Sequence, residues 1–567
     1  MKSIVLFIIS ALIAIYLGFS AFTSQEMYLL YGNLSYYFIS IIFFIWLYFV
    51  YIALKQVKSN IIPFLSFHKI AIVLSFILVI LFFYICPPEF RILADETNLL
   101  GTSKALYEHR DSVMSTEELE VSGNKQIIKT YIDKRFLLFP YFLHIIHYIK
   151  SYSPNNAFIL NALFSFVCLF LIYYLFQQLW GKFYGIIALL FLASYPLFIQ
   201  YSMSAGYDVF CLTWVLFAFV VFCNYFRNNT VQNANLLLYT VALLSYTRYE
   251  CSIMAIIIVP IMLAILGKNN INKLGYEFII YPLLFIPTAW IMFFVNTNSY
   301  LQIDGNGNAF SIYYLKDNIL KALYFFSGWD YDQDTVFIIA LMACLGVLFV
   351  IYKILVYKKL FIEKLKLYKY HLILIFFFLL DQTLIKFAYK YGDLTLNLNS
   401  RFGITLLPYI IFFSIFFTRN LIKKHALFKI AILLIVFYTF FSHWPKTQQN
   451  FIIKSNNSYK IFKAYNDFLN EQYKNTNKEK YILALDRPIY LAPLNYNVIS
   501  INTLNQNFDL IKNSITQKKL WNELILIQTI DNGEIRAGSI LKEEINIKTI
   551  YEKAIDEKLS IRFSKLM

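Results

Sequence analysis

The residues best placed to do chemistry are Asp95 and Glu96, adjacent carboxylates in the run Leu93-Ala94-Asp95-Glu96. Two such groups can supply a general base and a second ligand for an acceptor or a metal. In a partly desolvated site their repulsion drives their pKa values apart, which separates acid and base roles. The pair also suits helix architecture. Asp95 reads as an N-cap for a helix over 97–109, with Glu96 in its positively polarised first turn. Residue chemistry alone leaves both readings open.

Three further places gather charge. Asp208, in Gly206-Tyr207-Asp208, opens an apolar run, where a carboxylate is costly unless it pairs or faces a cavity. Arg248 lies in Thr247-Arg248-Tyr249-Glu250, a tight turn between apolar runs. It can grip a phosphate through paired hydrogen bonds, or it can anchor the turn together with Glu250. Arg401, in Ser400-Arg401-Phe402, joins Lys386 and Lys390 in a candidate basic cluster for an anionic lipid phosphate. Snorkelling to headgroups is the alternative for it. His144 and His147 have i, i+3 spacing but no Glu-x-x-His partner motif, so they read as parts of an amphipathic anchor, and no metal is expected. Trp329-Asp330-Tyr331-Asp332 partly matches the Trp-Trp-Asp-Tyr-Gly motif of oligosaccharyltransferases. It precedes an apolar run instead of lying in a terminal domain, and is read as coincidence. The sequence has no Walker loop, Gly-rich dinucleotide fingerprint or Gly-x-Ser-x-Gly elbow, which argues against an ATP-driven pump, a nucleotide-sugar enzyme or a serine hydrolase.

The elements that must position these residues are membrane spans. Of the 567 residues, 59% are hydrophobic and only 15% charged, too few charges for a water-facing surface. Thirteen spans are expected, at about 3–22, 35–54, 69–87, 156–179, 183–200, 207–226, 233–247, 251–266, 276–296, 335–355, 370–388, 402–418 and 426–443. The first is read as retained because no small-residue cleavage site follows it. With the N-terminus in the cytoplasm, every inner loop carries Lys or Arg, whereas the short outer loops are nearly free of them. This placement accounts for the net charge of +16 and argues against nucleic acid as a partner. The six cysteines lie in or beside apolar runs without zinc-site spacing.

The expected fold is an all-α polytopic membrane protein with a small C-terminal extracytoplasmic α/β domain. Residues 1–443 form the membrane part, including an extracytoplasmic loop at 88–155, and residues 444–567 form the terminal domain. In the tail, β-like runs at 481–485, 489–491, 497–501 and 524–529 alternate with helical stretches such as 460–473. The loop reads as a helix, a charged connection and an aromatic segment at 135–149 that is too short to span and lies at the interface. A multi-pass protein of the bacterial inner membrane is expected.

On these residues the chain resembles the GT-C glycosyltransferases. Asp95-Glu96 after a span, the stretch ending Lys104-Ala105-Leu106-Tyr107-Glu108, and Arg135-Phe136-Leu137-Leu138-Phe139-Pro140-Tyr141-Phe142 look like the first extracytoplasmic loop of that superfamily. The nearest branch contains the protein O-mannosyltransferases and the bacterial aminoarabinose transferase of lipid A. Asp208, Arg248 and Arg401 fall where such proteins carry an acidic and two basic residues.

The resemblance implies an inverting transfer of a sugar from a polyprenyl-phosphate carrier at the extracytoplasmic face, to a lipid, glycan or protein acceptor. Asp95 would act as general base, and Glu96 and Asp208 would orient hydroxyls. Arg248, Arg401 and Lys390 would bind the leaving phosphate, with Glu250 beside Arg248. No cofactor or metal is implied; membrane lipids are the surroundings. The rival reading is a transporter or flippase of a lipid-linked or anionic substrate, and a third is a non-catalytic assembly protein. A transporter usually shows repeated halves and charges near the bilayer midplane, and this sequence shows neither.

Overall fold

The structure is a computed structural model of the chain. It describes residues 2–57, 61–121, 124–271, 273–297, 311–327, 336–356, 385–387, 394, 399–421, 426–449, 457–473, 478–517, 520–541 and 547–566. Two compact units are present. One comprises Met1–Glu89, Lys134–Phe139 and Phe158–Phe451; the other comprises Phe90–Asp133, Pro140–Ala157 and Ile452–Met567.

The first unit is helical. Its second helix, Ser24–Val57, begins earlier than its apolar run because Thr23 and Glu26 cap it reciprocally. The Thr23 N–H donates to Glu26 Oε2 at 2.8 Å and the Glu26 N–H to Thr23 Oγ1 at 3.3 Å. The described residues of the expected spans are largely helical; of the eleventh only 385–387 are described. Among the described residues, seven helices are long and apolar enough to cross a membrane, or eight with the bent pair Lys182–Ala193 and Pro196–Ser202. The shortfall from thirteen has local causes. Val231–Ser245 has only 15 residues, Cys251–Leu266 has 16 with Pro260 inside, and most of the eleventh expected span lies outside the described residues.

The outer faces of these helices present Phe44, Tyr48, Tyr51, Phe76 and Tyr84. Such apolar surface is costly in water and suited to acyl chains. Inside, tyrosine hydroxyls find backbone acceptors: Tyr225 donates to Met262 O at 2.7 Å and Tyr239 to Glu277 O at 2.8 Å. In an apolar surround an unmade bond of this kind costs several kcal/mol. Phe337–Val356 packs closely on Leu407–Leu421 because Gly346 faces the backbone at Phe413, where a Cβ would meet the carbonyl oxygen at 2.2 Å. Ser414 closes the same contact by donating to Ile339 O at 2.7 Å.

The second unit is built on one mixed sheet. Its strands are β1 (Met114–Val121), β2 (Asn124–Tyr131), β3 (Tyr481–Leu485), β4 (Val498–Ser500), β5 (Glu523–Asp531), β6 (Glu534–Ile535), β7 (Ile547–Ala554) and β8 (Leu559–Leu566). The order is β2-β1-β4-β3-β5-β8-β7, with β6 on β5; β3 runs parallel to β4 and β5, and the other pairs are antiparallel. The all-buried β3 sequence Tyr-Ile-Leu-Ala-Leu is what a doubly covered central strand requires. Ile482 and Ala484 join Leu504, Phe508 and Ile511 in a core on one face. Phe563 meets Tyr465 and Phe468 of the Asn457–Gln472 helix, with the Phe468 ring stacked 4.0 Å away.

Within the expected outer loop at 88–155, residues 90–133 and 140–157 group with the tail. The charged connection is a β-hairpin, β1–β2, which extends the tail's sheet through Glu118 against Val498. Side chains reinforce that single pairing. The Ser500 N–H donates to Glu117 Oε2 at 3.0 Å and Trp521 Nε1 to Glu120 O at 3.2 Å. The expected run at 489–491 is a 3₁₀ turn instead, since Pro488 starts it and Pro493 follows.

Candidate functional site

In the first unit, the geometry is set by a turn and a broken helix. Asn161 Nδ2 donates to Ser204 O at 2.7 Å and Gly206 O at 2.6 Å. This clamps the segment that delivers Asp208 to the start of the Asp208–Arg227 helix. Across from it, Leu138 N–H donates to Tyr246 O at 3.0 Å, and the Phe136 ring lies 4.6 Å from that of Tyr249. The Tyr249 hydroxyl also donates to Lys134 O. The 134–139 strip therefore braces the turn that carries Arg248, and brings the buried Arg135 with it.

Asp208 and Arg248 meet in a charge-assisted hydrogen bond between Oδ1 and Nη2, with both side chains 2% exposed. Glu250 Oε1 is 3.5 Å from Arg248 Nη1. The Arg248 guanidinium lies 4.9 Å from the Phe402 ring centre and 5.1 Å from that of Tyr207. Arg401 stands 4.9 Å from the same Phe402 ring. The two guanidinium carbons are thus within about 10 Å of each other, close enough to face one head group. Of the residues singled out from sequence, Asp208, Arg248, Glu250 and Arg401 form one neighbourhood. Lys390 and the Trp329–Asp332 run lie outside the described residues. Lys386 is buried, and its carbonyl accepts from Asn318 Nδ2 at 2.8 Å.

An apolar groove runs between the helices Asn156–Trp180, Asp208–Arg227 and Leu407–Leu421, lined by Phe176, Leu179, Val215, Phe219, Pro408 and Phe412. Thr405, on its wall, is one turn beyond Arg401. Two guanidinium groups, one of them paired with Asp208, near an apolar groove are chemically matched to an anionic lipid head group with an apolar tail.

In the second unit, Asp95 and Glu96 stand in different surroundings. The helix is Leu93–His109, with Ile92 at the N-cap, so Asp95 lies inside the first turn and is not its cap. Glu96 does the capping work. Its carboxylate accepts the backbone N–H of Arg91 at 3.0 Å and of Ile92 at 3.2 Å, and the residue is 1% exposed. Asp95 is half-buried. Most of the helix is buried on its polar side as well: Lys104 Nζ pairs with Glu118 and donates to Ala492 O at 3.1 Å. Burial pushes the Lys104 ammonium down, against the pull of Glu118. Sequence reasoning passed over Lys104–Glu118 and the fully buried Arg91, since nothing in their spacing distinguishes them from surface charges.

His144 and His147 are both buried, and burial pushes each down to about 4. Asn156 Nδ2 donates to His147 Nδ1 at 2.9 Å, which leaves the proton on Nε2, 3.2 Å from Ser103 Oγ. A base for Ser103 would need the opposite tautomer, so the trio is packing chemistry and not a nucleophile. Among the described residues there is no cluster of three or more His, Cys, Asp or Glu that could hold a metal.

Residues 134–293 match the family described as dolichyl-phosphate-mannose-protein mannosyltransferase. The matched stretch contains Asp208, Arg248 and Glu250, and it upholds the GT-C glycosyltransferase resemblance over that part of the chain. Two crystal structures of ArnT from Cupriavidus metallidurans are similar in fold at a TM-score of 0.48. The apo form is 8% identical, covering 87% of this chain and 97% of its own. The form bound to undecaprenyl phosphate is 7% identical, covering 88% and 98%. No curated protein matches the sequence.

Proposed function

We propose that this protein transfers a sugar from a polyprenyl-phosphate carrier to a hydroxyl of a glycan, lipid or protein. The observation that carries the reading is the pair Arg248 and Arg401 about Phe402, with an apolar groove whose wall includes Thr405, one turn beyond Arg401. The matched family is named for dolichyl-phosphate mannose, a sugar of that carrier class. The layout is a thirteen-span membrane part with a cytoplasmic N-terminus, which puts the second unit outside.

In the reaction, Asp95 takes the proton of the acceptor hydroxyl as its oxygen attacks the anomeric carbon. The bond from that carbon to the phosphate oxygen breaks with inversion, and the electron pair leaves on the lipid phosphate. Arg401 and Arg248 stabilise the charge that grows there; preorganised donors of this kind contribute most where water is excluded. Asp208 holds Arg248 in place. Glu96 holds the turn from which Asp95 projects.

The test is single-turnover transfer by protein in lipid nanodiscs, given a polyprenyl-phosphate sugar and membrane extract as acceptor. Arg401→Gln is expected to slow release of polyprenyl phosphate by roughly 10²–10³, the scale for losing one charge-stabilising donor. Unchanged release would refute the assignment of the cationic site.

A further inference from the structure

The second unit contains a cavity of about 210 Å³ that is lined by none of the residues assigned to sugar transfer. Asp486 and Arg487 directly follow β3, and Tyr490 comes from the 3₁₀ turn after them. Arg536 follows β6, while Tyr465 and Ser458 come from the Asn457–Gln472 helix. The cavity therefore opens at the carboxyl ends of the parallel strands β3 and β5, the edge at which open α/β sheets bind ligands.

Its lining has a definite chemistry. Arg487 Nη1 donates to the Tyr490 hydroxyl at 3.0 Å and Arg536 Nη2 to Asp531 Oδ2 at 3.2 Å, so both guanidinium groups are held with donors to spare. Asp486 Oδ2 accepts from Thr529 Oγ1 at 3.5 Å. Its Oδ1 is buried and has no hydrogen-bond partner among the described residues. A buried carboxylate oxygen calls for a donor such as a hydroxyl. The volume equals roughly seven waters at ~30 Å³ each, the scale of one sugar ring.

We infer that this cavity binds one anionic sugar residue, with its phosphate or carboxylate on Arg487 and Arg536 and a ring hydroxyl on Asp486. Aromatic rings beside it favour the sugar over a bare anion. The site is separate from sugar transfer itself and gives the second unit a task, holding an acidic glycan.

Calorimetry on the full-length protein in nanodiscs tests this with four probes: glucose 6-phosphate, glucuronate, glucose and inorganic phosphate. The two anionic sugars are expected to bind more tightly than glucose or phosphate. Arg487→Gln with Arg536→Gln should weaken them about tenfold or more, the value of a charged hydrogen bond. Asp486→Asn should weaken the sugars and leave phosphate unchanged. Arg487→Lys, which keeps the charge, checks that any loss is not misfolding, and melting curves of each variant should match wild type. No binding of either anionic sugar, equal binding of phosphate, or binding unaffected by the variants would overturn the inference. Transfer activity that survives these variants leaves the catalytic reading standing on its own.

Discussion

Asp208 and Arg248, forty positions apart, meet as a buried ion pair in which each side chain is 2% exposed. A guanidinium is tolerated in that surround because the carboxylate offsets its lost hydration. The pair also fixes which way Arg248 faces, toward the Phe402 ring it shares with Arg401.

Removing one partner leaves the other charge buried alone. Asp208→Ala is expected to lower stability by about 3–5 kcal/mol. Asp208→Asn, which can still accept from Arg248, should lose less. The check is thermal unfolding in detergent, read against the double change Asp208→Met with Arg248→Met, which should recover most of the loss.

The two adjacent carboxylates should part company on mutation. Glu96→Ala removes acceptors from two backbone N–H groups and is expected to destabilise by about 1–2 kcal/mol. Asp95→Asn is expected to leave the melting temperature unchanged and abolish transfer. Measuring both properties on both variants decides between base and cap for each residue.

How far these roles were legible in the sequence varies with the physics involved. Apolar runs announce helices directly, and charge in the intervening loops announced the membrane character. Asp208, Arg248, Glu250 and Arg401 stood out because charge at the end of an apolar run is costly. The hairpin β1–β2 was not legible: Glu117 and Glu118 are buried by partners in the tail, hundreds of residues away, so their local pattern reads as an exposed connection. The capping by Glu96, in place of Asp95, was hidden for a similar reason. Which carboxylate caps depends on the helix starting at Leu93, and the residue at its N-cap is Ile92, a poor cap by type.

Acid should loosen the second unit through its buried histidines. In the folded protein His144 and His147 titrate near 4, whereas unfolded they titrate at the ordinary 6.5. Between those values the unfolded chain binds more protons, so stability is full above 6.5 and is lost as pH falls toward 4. The loss is on the order of 2–3 kcal/mol per ring. Melting curves at about pH 7, 5.5 and 4, which span that window, should show a shallower decline for His147→Gln than for wild type.

The most direct test of the central claim follows the lipid product. Protein in nanodiscs would be mixed with membrane lipids from cells lacking it, and free polyprenyl phosphate measured by mass spectrometry. Release is expected with wild-type protein, in step with sugar gained by an acceptor, and is expected to be absent with equally folded Asp95→Asn. If the lipid-linked sugar stays intact and only changes leaflet, the protein moves its substrate without reacting it, and the glycosyltransferase account fails.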